Sequence, residues 1–311
     1  WDGKIGWACG WAGVFKTTDG GLTWERVKPS GGWIRIGMTG PQSIWLLQGQ
    51  HPGGPGKTWL WHSVDDGRTW EEVEHGNMPG YVDFYCKGDV LWVHGGWISS
   101  PGLPVLNSID GGNTWRKVDF KGLLHQAWKI AIPADHTING GYAVYVLGLA
   151  IVDGKWQPKV VKSVDSGYHW SNLPLPTDLR QEDFWNFGQI YFSTSQTGWL
   201  GLNHGRLLYT EDGGQTWQER KLPSNRGVAA IWIDQLGRGF VAVNNSDINH
   251  IVDAVYRTLD CGKTWQPVLR GYKQINRFFA LGNGQFWAVG TMPTVVPNDV
   301  VAILKPDWWK Q

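Results

Sequence analysis

Three carboxylates stand in segments that the sequence predicts as irregular connections between strands. Asp83 ends the segment Glu74–Asp83, and Glu182 and Asp183 lie within Pro174–Trp185. A glycosidase needs two carboxyl groups roughly 5–10 Å apart, one of which acts as the acid. Asp83 with Glu182 or Asp183 is therefore the pair that would catalyse glycoside hydrolysis.

Two histidines offer a different chemistry. His94 and His204 each follow a predicted strand, and an imidazole beside a cation that neutralises a uronate would be the base of a polysaccharide lyase. The nine histidines show no paired metal-ligand spacing. Cys9, Cys86 and Cys261 show neither metal spacing nor a disulfide framework. We therefore expect no metal and no cofactor.

Polar and aromatic side chains recur in the same predicted connections. The set expected to bind a ligand is Trp33, Arg35, Tyr81, His94, Trp97, Trp185, Asn203, His204 and Arg277. Polar groups that converge on a concave surface beside aromatic rings suit a sugar or a peptide. The alternative interpretation is that these polar residues cap strand ends around a water-filled channel.

The overall composition excludes several classes of partner. The 28 basic and 27 acidic residues leave no field that would attract nucleic acid or an anionic membrane. No apolar run approaches the roughly 20 residues that span a bilayer. The 23 tryptophans fit either a buried aromatic core or a surface that stacks on sugar rings.

An octapeptide that recurs six times organises the whole chain. TTDGGLTW ends at Trp24, and SVDDGRTW, SIDGGNTW, SVDSGYHW, TEDGGQTW and TLDCGKTW end at Trp70, Trp115, Trp170, Trp217 and Trp265. The tryptophans are 46, 45, 55, 47 and 48 residues apart. A fixed period of this size predicts stacked supersecondary units.

Each octapeptide has the chemistry of a hairpin turn. Its aspartate can accept hydrogen bonds from backbone amides, and its glycine supplies the positive φ that a tight turn requires. The tryptophan can pack under the turn while its indole N–H reaches a carbonyl. We therefore assign a structural role to six aspartates, which are Asp19, Asp65, Asp110, Asp165, Asp212 and Asp260.

These octapeptides resemble the Asp-box, or bacterial neuraminidase repeat, of sialidases, some endoglucanases, sortilin-type receptors and photosystem II assembly factors. The longer stretches Gly6–Trp24 and Gly198–Trp217 also share their glycine spacing before the box. In this they are similar to the seven-bladed photosystem II assembly and stability factors and to uncharacterised bacterial relatives. The resemblance implies a propeller, and together with the start at Trp1 it leads us to expect an extracytoplasmic location.

Four short alternating segments per period predict four antiparallel strands, which is the blade of a β-propeller. The count of 26 or 27 strands favours an all-β chain with a single seven-bladed domain over residues 1–311. The expected four-stranded blades span about 1–28, 33–74, 81–119, 125–173, 184–222, 228–269 and 275–311. The boxes join third and fourth strands, so the opposite end of each blade carries the longer loops, where function is expected.

The sequence favours a non-catalytic binding or assembly propeller that recognises a glycan or a partner protein through these loops. The alternative is a carbohydrate-active enzyme, either a glycoside hydrolase or a polysaccharide lyase. The Arg-Ile-Pro motif of a sialidase is absent from the chain. We expect neither nucleic-acid binding nor membrane insertion, and either a monomer or a subunit of a larger assembly.

Overall fold

A computed structural model describes residues 4–10, 12–29, 31–49, 58–73, 82–95, 105–133, 135, 141–184, 188–244, 253–270, 274–280, 286–291 and 299–304. The chain divides into two compact units, residues 1–128 and 129–311. The regular secondary structure of the described residues consists of β-strands and one 3-10 turn, Gln181–Asp183. They include no helix with the length and hydropathy that crossing a bilayer requires.

The first unit holds three antiparallel sheets and the start of a fourth. The three-stranded sheet has the order β1 (Gly6–Gly10), β2 (Gly13–Thr17) and β3 (Glu25–Lys28). The next sheet comprises β4 (Trp33–Met38), β5 (Ile44–Gly49), β6 (Thr58–Ser63) and β7 (Glu71–Val73). The third comprises β8 (Val82–Lys87), β9 (Val90–Gly95), β10 (Val105–Ser108) and β11 (Arg116–Val118).

The strand β12 (Gln126–Ala131) begins before the boundary and pairs with strands of the second unit. Its sheet continues with β13 (Val144–Val152), β14 (Lys155–Ser163) and β15 (Ser171–Leu173). The next sheet comprises β16 (Gln189–Phe192), β17 (Gly198–Gly201), β18 (Arg206–Thr210) and β19 (Gln218–Lys221). Two more sheets comprise β20 (Val228–Ile233), β21 (Gly239–Val243), β22 (Asp253–Thr258) and β23 (Gln266–Arg270), then β24 (Gln274–Ala280), β25 (Phe286–Thr291) and β26 (Asp299–Leu304).

The position of a strand within its sheet follows from its side chains. The second strands, such as β5, β17 and β21, are almost wholly buried, because apolar residues on both faces pack against neighbouring sheets. The fourth strands β7 and β19 read EEV and QERK and are mostly exposed. Charged side chains at the free edge of a sheet discourage pairing with other chains.

The core lies between successive sheets of each unit. In the first unit Trp45, Phe84 and Val93 belong to a cluster that joins the sheet of β4–β7 to that of β8–β11. In the second unit Trp199 and Val228 belong to the corresponding cluster between the sheets of β16–β19 and β20–β23. Burying these aromatic and branched residues stabilises the stacked sheets by roughly 1.5–3 kcal/mol for each large side chain.

The Asp-box of β18 and β19 illustrates how the octapeptide closes its turn. The Thr210 hydroxyl donates to Asp212 (2.8 Å) and accepts from the Gly214 amide (2.9 Å). The Asp212 carboxylate also accepts from the amide (2.9 Å) and the hydroxyl (2.6 Å) of Thr216. The same hydroxyl–carboxylate contact occurs in the other five boxes.

A second bond ties every box to its own sheet. The residue after the box aspartate has a positive φ in all six boxes, including the non-glycine residues Asp66, Ser166 and Cys261. Its amide donates to a backbone carbonyl at 2.8–3.1 Å. In the five four-stranded blades this carbonyl lies in the connection between the first and second strands, and in the sheet of β1–β3 it lies just before β1. The acceptors are the carbonyl oxygens of Lys4, Gln42, Asp89, Tyr142, Gln196 and Gly237. One end of each such blade, the box edge, therefore carries both turns, and the opposite end is its loop edge.

The expectation of seven four-stranded blades is wrong. Within the described residues six blades are built around a box, and five of them have four strands. The blade of β1–β3 has three. The last strands, β24–β26, form a three-stranded sheet that contains no Asp-box. Dividing the predicted number of strands by four gave the wrong blade count. The box turn is the connection that brings the outermost strand back to its sheet, and the strands β24–β26 have no such turn. The all-β class and the antiparallel blades are as predicted.

Candidate binding site

The structure describes only part of the expected ligand-binding set. Tyr81, Trp97 and Trp185 lie outside the described residues, and Trp33 is described only as backbone in β4. Of the other members, Arg35 and His94 lie near loop edges of the first unit, and Asn203 and His204 lie at a loop edge of the second. Arg277 is the fourth residue of β24, in the sheet without a box. The catalytic candidate Asp83 lies in the first unit, and Glu182 and Asp183 lie in the second.

In the first unit an ion pair joins the first strands of two neighbouring blades. The Arg35 Nε in β4 donates to the Asp83 Oδ1 in β8 (2.6 Å), and the Phe84 amide donates to the same oxygen (2.8 Å). Asp83 lies opposite His94 in the register of β8 and β9. His94 is only 4% exposed. The Asp83 carboxylate is thus held by a guanidinium and by backbone, which suits a charge that positions neighbouring strands.

In the second unit Asp183 shapes the 3-10 turn in which it lies. Its carboxylate accepts from the Arg180 amide (2.8 Å), which caps the start of the turn. Asn203 then fixes this turn to its neighbour in the fold: the Asn203 amide donates to the Asp183 carbonyl (2.7 Å), and its side chain donates to the Glu182 carbonyl (2.7 Å). Asp183 and Asn203 therefore hold the connection before β16 against the turn between β17 and β18.

Arg206, which the sequence analysis did not single out, lies close to three carboxylates at the same loop edge. Its guanidinium is 2.7 Å from Asp178, 3.3 Å from Glu219 and 3.9 Å from Asp183. Its side chain is largely buried. The feature of the sequence that points to Arg206 is its position directly after Gly205, at the start of the third strand of the blade.

The turn that carries His204 has a left-handed backbone. His204 (φ 58°) is exposed, and Gly205 (φ 68°) follows it. The Gly205 amide donates to the Arg226 carbonyl (2.8 Å). A Cβ at Gly205 would lie 1.7 Å from the Ser224 carbonyl oxygen, so only glycine fits this close approach.

The two units each hold one part of the catalytic pair expected for a glycosidase. Asp83 lies in the first, whereas Glu182 and Asp183 lie in the second. Neither unit by itself places two of the candidate carboxylates on opposite sides of an open cleft, since Glu182 is adjacent to Asp183 and Asp183 is buried. Among the residues that the structure describes, no group of three histidine, cysteine, aspartate or glutamate residues could hold a metal ion.

At the box edges the aspartate side chains are held in hydrogen bonds within their own turns. Hydrogen bonds from the Thr23 hydroxyl and amide lower the pKa of Asp19 to about 2. The Thr69 amide and hydroxyl do the same for Asp65, and the Thr114 hydroxyl and amide for Asp110. These carboxylates stay ionised and fully hydrogen-bonded, which suits a turn and not an acid that must carry a proton.

Comparisons with known proteins agree with this architecture. The family model described as Photosynthesis system II assembly factor YCF48 matches residues 151–292. The Photosystem II assembly lipoprotein Ycf48 of Synechococcus sp. (strain CC9902) is 31% identical over 102 residues, which are 33% of this chain and 28% of that protein. The match thus spans little more than a quarter of the relative's length.

Solved structures resemble the chain over almost its full length. YCF48 from Cyanidioschyzon merolae has a TM-score of 0.68 at 16% identity, covering 99% of this chain and 93% of that one. YCF48 bound to D1 peptide has a TM-score of 0.62 at 15% identity, covering 94% and 87%. Structures that share the fold also include polysaccharide lyases. The chain is therefore a propeller of the bacterial neuraminidase repeat type that resembles the photosystem II assembly factor.

Proposed function

We propose that this protein is a non-catalytic propeller that binds an extended segment of a partner protein at its loop edges. The observation that carries the proposal is the similarity to YCF48, whose solved complex contains a D1 peptide. The family match to an assembly factor supports the same class of function. D1 itself is the partner of that relative. For this chain we propose the class of ligand, a peptide segment.

The state of the candidate carboxylates supports binding over catalysis. Asp83 is paired with Arg35, and Asp183 caps a turn. A general acid must instead have a free proton position facing the substrate. The glycosidase alternative depends on Asp83 and Glu182, and the lyase alternative depends on His94 or His204. None of the contacts that the structure describes directs these side chains at a substrate.

The location of the protein agrees with such a role. The cyanobacterial relative is described as a lipoprotein, and a lipid anchor holds a protein at a membrane surface. This fits the extracytoplasmic location expected from the sequence. We propose that the partner is a membrane-associated protein whose exposed segment reaches the loop edges.

The proposed ligand-binding residues remain those chosen from the sequence. In the first unit the proposed binding residues are Trp33, Arg35 and His94, and in the second unit they are Asn203, His204 and Arg277. Tyr81, Trp97 and Trp185 would add aromatic surface. Aromatic and arginine side chains carry most of the binding energy in many protein interfaces.

A peptide selection tests the proposal. A displayed library of random 12-residue peptides would be selected against the immobilised chain, and the enriched peptides would be synthesised and titrated. In parallel, the chain would be applied to a glycan array. The proposal expects enriched peptides with a defined affinity. No enrichment, or glycan binding in place of peptide binding, would overturn it.

A pair of double variants then tests whether the loop edge is the surface that binds the peptide. Arg180 and Glu182 have side chains 78% and 61% exposed at a loop edge. The double variant Arg180→Ala, Glu182→Ala should weaken peptide binding severalfold. The matched control is Gln215→Ala, Lys263→Ala, which removes two exposed polar side chains at box edges of the same unit. Equal affinities for the two double variants would reject the loop edge as the binding surface.

A further inference from the structure

In every box blade one residue stands directly before the hydroxyl residue of the box. These residues are Lys16, His62, Asn107, Lys162, Tyr209 and Arg257. In two blades the side chain at this position reaches the box of the next blade. Lys16 forms an ion pair with Asp66, and the Lys162 ammonium donates to the Gly213 carbonyl (3.5 Å). The position before the box can therefore join a blade to its neighbour.

In the second blade, β4–β7, this residue is His62, and it acts through Trp45. The imidazole stacks on the indole of its cross-strand partner Trp45, with ring centroids 3.8 Å apart and 13° between the planes. The same indole packs against the box of the third blade, β8–β11. A Cβ at Gly112 would lie 2.3 Å from it, and the ring of Trp115 meets it edge-on at 6.0 Å. These four residues form the joint between the second and third blades, the His62 joint.

A chain of hydrogen bonds fits the neutral form of the His62 ring. The Trp45 indole N–H can only donate, and it donates to the Thr39 hydroxyl (3.1 Å). The Thr39 and Ser43 hydroxyls lie 2.6 Å apart, and the Ser43 Oγ lies 2.8 Å from the His62 Nε2. Each proton of the chain has an acceptor when Thr39 donates to Ser43 and Ser43 donates to Nε2. A charged imidazole must donate from Nε2, which reverses the chain.

The charge state of His62 depends on opposing effects. Burial lowers the pKa of His62 from its ordinary value, and Glu71, which lies opposite it in β7, acts more weakly to raise that pKa. The indole face of Trp45 also attracts a cation. The strand β5 and the connection 39–43 carry no ionisable side chain. The other ionisable side chains at the box edges of the two blades are Asp65, Asp66, Arg68, Asp89, Asp110 and Arg116. Because burial is the largest of the effects on the ring, the neutral imidazole is the form that fits the joint.

The other blades have no such group at this position. Lysine, tyrosine and arginine ordinarily ionise at about pH 10 or above, and asparagine does not ionise. Histidine changes its charge between about pH 5 and 8. We propose that His62 makes the joint between the second and third blades sensitive to acid, so that a proton on the imidazole loosens the packing of Trp45 on the third box. Arg35 and Asp83 join the same two blades at their loop edge, so the joint bears on the position of a proposed binding residue.

An NMR titration of the wild type tests the state of the ring without any substitution. The His62 signal, assigned through its contact with the Trp45 ring, should titrate with a midpoint below about 6.5, the ordinary value for histidine. A midpoint at or above about 6.5 would mean that Glu71 and the indole face outweigh burial, and it would overturn the inference.

Urea denaturation at about pH 7.5 and about pH 5.5 tests the consequence for stability. Because the pKa of His62 is lower in the folded protein than in the unfolded chain, the neutral ring stabilises the fold above about pH 6.5, and this contribution is lost as the pH falls below that value. The urea midpoint should therefore fall further on acidification in the wild type than in His62→Gln, which gains no charge. The control His204→Asn removes an exposed imidazole from a left-handed turn that asparagine tolerates, and its midpoint should fall as far as that of the wild type. Equal falls in the wild type and His62→Gln overturn the inference.

Hydrogen exchange locates the loosening. In the third box, the protection factors of the Gly112 and Thr114 amides should fall severalfold between the two pH values in the wild type and stay constant in His62→Gln. The matched amides of the fifth box, Gly214 and Thr216, make the same hydrogen bonds and should stay constant in both proteins. An equal fall at the two boxes would show general acid destabilisation in place of a sensitive joint, and would overturn the inference.

Discussion

Replacing Gly205 by alanine should destabilise the protein far more than the same change at Gly154. Both glycines lie in turns between the second and third strands of their blades, and both have a left-handed backbone, with φ of 68° and 73°. A Cβ at Gly154 meets nothing within 4 Å. A Cβ at Gly205 would lie 1.7 Å from the Ser224 carbonyl oxygen. The two variants therefore share the backbone strain and differ in the collision.

The structure sets the size of the difference. A left-handed alanine costs about 1 kcal/mol at either position. At Gly205 the Ser224 carbonyl must also move by more than about 1 Å, since contacts below roughly 3 Å are not tolerated. That movement weakens the bond from the Gly205 amide to the Arg226 carbonyl (2.8 Å). Overpacking and the lost hydrogen bond together add about 3 kcal/mol. The expected totals are about 1 kcal/mol for Gly154→Ala and about 4 kcal/mol for Gly205→Ala.

Urea denaturation followed by tryptophan fluorescence measures both values, because the chain has 23 tryptophans. The melting temperature should fall by roughly 3 °C for Gly154→Ala and by roughly 12 °C for Gly205→Ala, at roughly 3 °C for each kcal/mol. Free energies of unfolding that agree within about 1 kcal/mol would refute the argument. They would mean that the loop-edge turn of β17 and β18 is not packed against the segment of Ser224.

Three further predictions concern the box edges. Thr210→Val should lower the free energy of unfolding by about 2 kcal/mol, because the Gly214 amide loses its acceptor, whereas Thr210→Ser should cost less than about 1 kcal/mol; a urea series compares them. The pKa of Asp65 is about 2 in the folded protein against 3.8 in the unfolded chain, so the ionised carboxylate stabilises the fold above pH 4 and this contribution is lost as the pH falls toward 2. In Asp65→Asn the acid-induced loss of stability should therefore be smaller. A carboxyl NMR titration of wild-type Asp65 with a midpoint near 3.8 would contradict this prediction. Asp66→Gly should be less destabilising than Asp66→Ala in thermal melts, because glycine relieves the left-handed strain (φ 61°) while both variants lose the ion pair with Lys16; an equal loss would argue against strain at Asp66.

The sequence predicted what depends on local chemistry. The six boxes, their hydroxyl and aspartate partners and the strands on either side follow from residues within eight positions of one another. The ion pair between the first strands of neighbouring blades could not be predicted, because it depends on which blades pack together. Arg35 and Asp83 were each singled out, yet they are 48 residues apart and nothing local joins them.

The blade count failed for a different reason. The strands after Arg270 are as apolar as those of any blade, so the sequence favours counting them as one. What they lack is the box turn, a local feature that a count of strands does not register. Asp183 shows a second missed signal. Its spacing of three residues from Arg180 is that of a turn capped by its own carboxylate, which favours a structural role over catalysis.

Burial and hydrogen-bond satisfaction cannot be derived from one sequence without the packed structure. His62 stands directly before its box hydroxyl, as a lysine does in two other blades, and only the packed strands place its imidazole on Trp45. The backbone bond from each box to a carbonyl earlier in the chain likewise involves no particular side chain. Interactions of this kind become visible only when the strands are placed in their sheets.

Hydrogen exchange of the free and peptide-bound protein tests peptide binding at the loop edges most directly. Binding should slow exchange of amides in the turn Asn203–Gly205 and the connection 223–227, while amides of the Asp-box turns at Gly214 and Gly262 keep their free-state rates. Slower exchange at the box turns, with no change at the loop edges, would contradict the account.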